Sequence, residues 1–130
     1  MAVLLLVGAI ALVGCDGNVD TSIKWKDIAT EWTDSNQSQL SYVDQSSSIH
    51  IDLGYYETPS DSNSWVMCYF PSFEYANDTL TASYTSQATG ESEQGPYQIS
   101  IKFSYSNGVL TAVCSGSGPL AGRTFSFVPA

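Results

Sequence analysis

The stretch from Tyr97 to Gly116, YQISIKFSYSNGVLTAVCSG, decides the fold. Tyr97, Ile99, Ile101, Phe103 and Tyr105 alternate with Gln98, Ser100, Lys102 and Ser104. In an extended chain successive side chains point to opposite faces, so this alternation is a strand with one apolar face. Asn107-Gly108 follows, the dipeptide that most readily takes the left-handed backbone of a type I′ hairpin turn. With those two residues at the turn, Tyr105 faces Leu110, Phe103 faces Ala112 and Ile101 faces Cys114. That register sends Cys114 to the apolar side of an antiparallel hairpin.

Further strands surround the hairpin. Leu40–Val43 is a short strand, and Ser48–Leu53 puts Ile49, Ile51 and Leu53 opposite His50 and Asp52. Glu57–Ser64, with Pro59, Asp61 and Asn63, reads as a surface loop. Trp65–Phe70 is nearly all apolar, as for a central strand buried on both faces. Pro71 interrupts it before Phe73 and Tyr75. Ala76–Thr79 reads as a tight turn into a strand with Leu80, Ala82 and Tyr84 inward. Ser86–Pro96 is expected to be a long loop, and Gly116–Gly122 a glycine-rich turn before the last strand, Arg123–Val128. Near the start, Trp25, Ile28, Ala29 and Trp32 share one helical face, which predicts a short helix within Ile23–Thr33 whose tryptophans cover an open end or edge of the domain. About seven strands and one helix make an all-β domain, an antiparallel barrel or sandwich.

Before this domain stands VLLLVGAIALVGC, Val3–Cys15, uncharged and apolar. It is too short for a spanning helix, which needs about 20 apolar residues, and has the length of a signal-peptide core. Its end, Leu12-Val13-Gly14-Cys15, resembles the lipobox of bacterial lipoproteins. The resemblance covers about the first 15 residues. It implies that Cys15 receives a diacylglycerol, with acyl chains such as palmitate, and that cleavage after Gly14 makes Cys15 the new N-terminus. Two acyl chains hold stably at about 0.8 kcal/mol per buried CH₂, whereas one holds marginally. The pattern departs from the family in one respect: no Lys or Arg precedes the apolar run, a charge that a start a few residues upstream would supply. The expected organisation is a cleaved signal peptide (1–14), a lipidated tether (15–22) and a single β-domain (23–130). Thr30-Glu31-Trp32 is also similar to the Gly-x-Trp opening of lipocalin-like barrels, with Thr30 in place of the glycine. That likeness spans three residues and transfers no site.

With 13 acidic and four basic residues the chain carries a net charge of −9. Nucleic-acid binding needs a basic face, so it is excluded as the main activity. The same charge argues against a polybasic contact with anionic lipid and sets the body off the membrane. With Cys15 acylated, Cys68 and Cys114 remain as an even pair outside the cytoplasm, which predicts a disulfide. No C-x-x-C occurs and His50 is the sole histidine, so neither a metal nor another cofactor is expected.

His50 and Asp52 are neighbours on one strand face, the arrangement of a general base and its orienting carboxylate, but a solvated strand face is the plainer reading. Gly116-Ser117-Gly118 lacks the spacing of a nucleophile elbow. Glu91 and Glu93 lie in a polar loop with nothing to raise a carboxyl pKa. The aromatic residues are the most suggestive group. Most fall on inward faces, while Tyr55, Trp65 and Tyr69 lie near strand ends and could line a ligand pocket. These observations lead to an expectation of an extracytoplasmic, membrane-anchored lipoprotein of the bacterial cell envelope without enzymatic activity. It would bind a small apolar ligand or an envelope protein; the alternative is an enzyme inhibitor or structural envelope component acting through its loops.

Overall fold

A computed structural model describes residues 22–45 and 48–130. The proposed signal peptide and Cys15 lie outside the described residues. Eight strands follow a single 3-10 turn at Trp25–Asp27: β1 (Glu31–Thr33), β2 (Gln39–Gln45), β3 (Ser48–Tyr56), β4 (Trp65–Ala76), β5 (Thr79–Ala88), β6 (Gln94–Ser106), β7 (Val109–Gly116) and β8 (Thr124–Pro129). Each pairs antiparallel with the next, and β8 pairs with β1, so the sheet closes into a barrel. Closure pairs each strand with two neighbours over at least part of its length.

The hairpin register is as the sequence predicts: Tyr105 faces Leu110, Phe103 faces Ala112 and Ile101 faces Cys114. Asn107 (φ 53°) and Gly108 (φ 80°) both adopt the left-handed conformation of a I′ turn. Asn77 (φ 54°) and Asp78 (φ 58°) do the same between β4 and β5. These tight turns gather at one end of the barrel. The longer connections β1–β2, β3–β4, β5–β6 and β7–β8 gather at the other.

Inward residues from every strand fill the interior, among them Trp32, Leu40, Leu53, Leu80, Ile101, Leu110 and Phe127. Trp25 plugs the turn end. Its indole stacks on Tyr42 at 3.7 Å between ring centroids and meets Phe103 edge-on at 5.2 Å. Its Nε1 donates to Tyr75 Oη at 2.8 Å, and Tyr75 Oη donates to Asp78 Oδ1, which also accepts from the Ile23 amide. Leu120 plugs the loop end. Its amide donates to Tyr84 Oη at 3.0 Å, while Tyr84 Oη donates to the Ser117 carbonyl at 2.7 Å.

Four sequence expectations change. The helix expected within Ile23–Thr33 contracts to one 3-10 turn, and Glu31–Thr33 becomes β1, the eighth strand. Trp32 there faces Leu40 and Pro129, ladder partners that a helix would forfeit. The loop expected at Ser86–Pro96 shrinks, because β5 and β6 continue past an irregularity to pair Ser86 with Gln94. In Trp65–Phe70 only Val66, Cys68 and Phe70 are buried. A closed barrel has one interior, and among the described residues no second layer covers the outward side chains. Pro71 does not end the strand, since a bulge between Tyr69 and Ser72 absorbs it.

Candidate functional site

Two of the residues singled out for chemistry, Cys68 and Cys114, point into the barrel. Both are buried free thiols, so the expected disulfide is not formed in this structure. The register argument placed Cys114 inward correctly, but it said nothing about distance. β4 and β7 stand three strands apart around the barrel. Facing sheet walls lie ~10 Å apart, beyond the ~7 Å between Cα atoms that a disulfide tolerates.

Tyr55 is also interior and only 1% exposed, and it contributes to the floor of a depression at the loop end of the barrel. The Arg123 guanidinium lies over its ring at 4.1 Å, and Arg123 Nε donates to the Pro119 carbonyl. The buried Tyr55 hydroxyl makes no hydrogen bond of standard geometry among the described residues, and the nearby Arg123 guanidinium is its polar neighbour. Burial pushes Tyr55, Cys68, Tyr84 and Cys114 each up to about 12, with nearby Arg123 opposing the shift at Tyr55 and both thiols.

These shifts make the fold alkali-sensitive. Each group stays protonated inside the barrel but ionises at its ordinary pKa in the unfolded chain, ~8.5 for a thiol and ~10 for a phenol. Above those values the unfolded chain binds fewer protons than the folded one, so stability falls as pH rises. Below about pH 8 the contribution is complete. Denaturant unfolding between pH 7 and pH 11 is expected to show a decline beginning near 9 and steepening above 10, by up to ~1.4 kcal/mol per pH unit for each group. Replacing both cysteines with alanine should remove the portion that begins near 9. A stability independent of pH over that range would contradict the buried assignment.

Trp65 and Tyr69 sit on the outer face of β4, away from Tyr55, so the three candidate ligand residues do not converge. Trp65 is a cover rather than a pocket wall. Its ring lies across Gly54, where an added Cβ would come within 2.2 Å of it, and its edge meets Tyr56 at 4.8 Å. Tyr69 is 40% exposed.

Tyr69 instead marks a break in the barrel wall. Pairing between β3 and β4 runs from Tyr56/Trp65 to Asp52/Tyr69 and stops there. Beyond that point Ser48–Ile51 pair with β2 alone, and Ser72–Ala76 pair with β5 alone. The wall splits, and an open depression of about 380 Å³ occupies the split. His50, Ile51 and Asp52 line one lip, Phe70, Pro71 and Phe73 the other, with Tyr69, Thr85 and Glu93 at the closed end. His50 Nε2 lies 2.8 Å from Asp52 Oδ2, with side chains 68% and 41% exposed. The lining residues supply no serine hydroxyl, and the Thr85 hydroxyl donates to the Glu93 carboxylate. Among the described lining residues the pair has an orienting acid and no serine beside it. Glu91 is exposed, and its backbone carbonyl accepts from the Gln87 side chain.

Two further open depressions are lined by described residues. One, of about 540 Å³, lies beside the 3-10 turn between Lys24 and Lys102. The other, of about 240 Å³, lies at the loop end beside Asp34, Glu57 and Arg123. No group of three or more metal-ligating side chains converges among the described residues. No helix among them is long and apolar enough to cross a membrane.

The chain matches no family model, no curated protein and no solved structure.

Proposed function

We propose that this protein is a membrane-anchored extracytoplasmic lipoprotein whose barrel binds another protein of the cell envelope through its outer surface, without enzymatic activity. One observation carries the choice of a protein over a small apolar ligand. The interior that a small ligand would occupy is filled by the barrel's own side chains, and both ends are plugged by Trp25 and Leu120. Surface depressions with mixed apolar and acidic linings suit a partner that brings its own side chains. Among the described residues lining its depression, the His50–Asp52 pair meets no serine hydroxyl to activate.

Anchoring rests on the Leu12-Val13-Gly14-Cys15 lipobox. Cys15→Ala is expected to abolish incorporation of labelled fatty acid and to release the domain from membranes or leave its leader uncleaved. Normal labelling of that variant would remove the anchoring part of the proposal. The binding part is tested by photo-cross-linking in intact cells from probes spread over the barrel surface. Discrete protein adducts are expected. Native mass spectrometry of the purified protein that finds a stoichiometric small apolar ligand would overturn the choice made here.

A further inference from the structure

We propose that the exposed edge of β4, Ser72–Ala76, accepts by strand addition an extended basic segment of the partner protein. This names the site for the protein-binding reading above and rests on it.

The argument begins with hydrogen bonding. β4 pairs with β3 as far as Tyr69, but among the described residues Ser72–Ala76 pair only with β5. Along an antiparallel strand the backbone groups point alternately to either side. About half of the N–H and C=O groups of Ser72–Ala76 therefore point into the split. An unpaired edge of this kind is a template for another chain, and five residues is close to the length of an ordinary strand. Pro71 explains why β3 does not close over it. It has no N–H to donate, and the bulge beside it turns β4 away from β3 after Asp52/Tyr69.

The side chains give the occupant its chemistry. Tyr69, exposed at the closed end of the split, offers apolar contact to an added strand, and Phe73, half-buried against the barrel core, lines the split beside it. Glu74 is exposed on the same edge, and Asp52 and Glu93 line the split, Asp52 beside His50 and Glu93 accepting from the Thr85 hydroxyl. The four lysine and arginine residues are Lys24, Lys26, Lys102 and Arg123, none of which lines it. Three of them lie at or near the depression beside the 3-10 turn and the fourth at the loop end. The split is thus a locally acidic face on a chain of net charge −9, which attracts lysine- or arginine-bearing segments and repels acidic ones.

The test uses the purified full chain, isotope-labelled for amide NMR, and three synthetic hexapeptides. One alternates lysine and valine, one alternates glutamate and valine, and one is the lysine peptide with alternate backbone amides N-methylated. The lysine peptide is expected to perturb the amides of Ser72–Ala76 and Asp52 in a saturable way, at least tenfold more tightly than the glutamate peptide. N-methylation is expected to abolish the effect, since it removes the ladder hydrogen bonds while keeping the charge. Glu74→Gln combined with Asp52→Asn should weaken binding severalfold without changing the rest of the spectrum. Equal binding of the N-methylated peptide, preference for the glutamate peptide, or no perturbation at this edge would overturn the proposal. Protein adducts mapping to the loop end of the barrel would then leave the protein-binding reading standing without this site. Absence of any protein adduct would overturn both.

Discussion

Replacing Trp25 with alanine is expected to lower the unfolding free energy by about 3–5 kcal/mol and the melting temperature by more than ~12 °C. Trp25 is buried to 5% exposure, stacks on Tyr42 and meets Phe103 and Tyr75 edge-on. Removing the indole opens a cavity at the turn end that the rigid strands around it are poorly placed to collapse into. It also takes a donor from Tyr75 Oη. Trp25→Phe separates the two effects. It keeps most of the stacking and loses the Nε1–H bond, for a cost of about 1 kcal/mol. Chemical denaturation of the three proteins measures both steps. A Trp25→Ala loss under 1 kcal/mol would mean that the 3-10 turn does not plug the barrel.

Gly116→Ala should be comparably damaging for a different reason. Gly116 has φ 139°, and a Cβ there would sit 2.2 Å from the Gln98 carbonyl oxygen and 3.0 Å from the Ile99 Cα. Both are backbone atoms of the neighbouring β6, so no side-chain rotation relieves the contact. At this point β7 bends into the loop that carries Ser117 and Leu120 to the barrel end. The expected loss is about 3–5 kcal/mol, from strain together with misplacement of the Leu120 plug. Gly108→Ala is the control. Gly108 also has positive φ (80°), but nothing lies within 4 Å of an added Cβ. Its cost should be about 1–2 kcal/mol, the conformational penalty alone. Equal losses at the two positions would show that β6 does not lie against Gly116 as described.

The β6–β7 hairpin could be read from the sequence because its determinants are local. Alternation fixes the face, and Asn107-Gly108 fixes the turn and with it the register. β1 could not, because a three-residue strand exists only by virtue of β2 and β8 on either side of it. Trp25, Ile28, Ala29 and Trp32 imitate a helical face, since a chain that crosses the barrel end and then enters its wall also buries residues at uneven intervals. The Ser86/Gln94 pairing was hidden by its polarity and by the irregularity in the ladder.

The candidate site was less visible than the fold. Periodicity placed His50 and Asp52 on the outer face and Cys114 inward. It carried no information on how far Cys68 lies from Cys114, or on whether Tyr55, Trp65 and Tyr69 meet. The split depends on where two strands separated in sequence stop pairing. Its one local sign is Pro71, read at first as an interruption: a proline inside a strand marks an edge.

The central claim is that the barrel is closed around a filled interior, so that recognition happens outside it. Xenon enters dry apolar cavities and finds no room in close-packed cores. Methyl NMR of the purified protein under xenon pressure therefore tests the claim most directly. The account predicts no saturable shift at the interior methyl groups of Leu53, Leu80, Ile101 and Leu110, which are at most 2% exposed. Saturable xenon binding at those methyl groups would contradict it and return a small apolar ligand to the barrel interior.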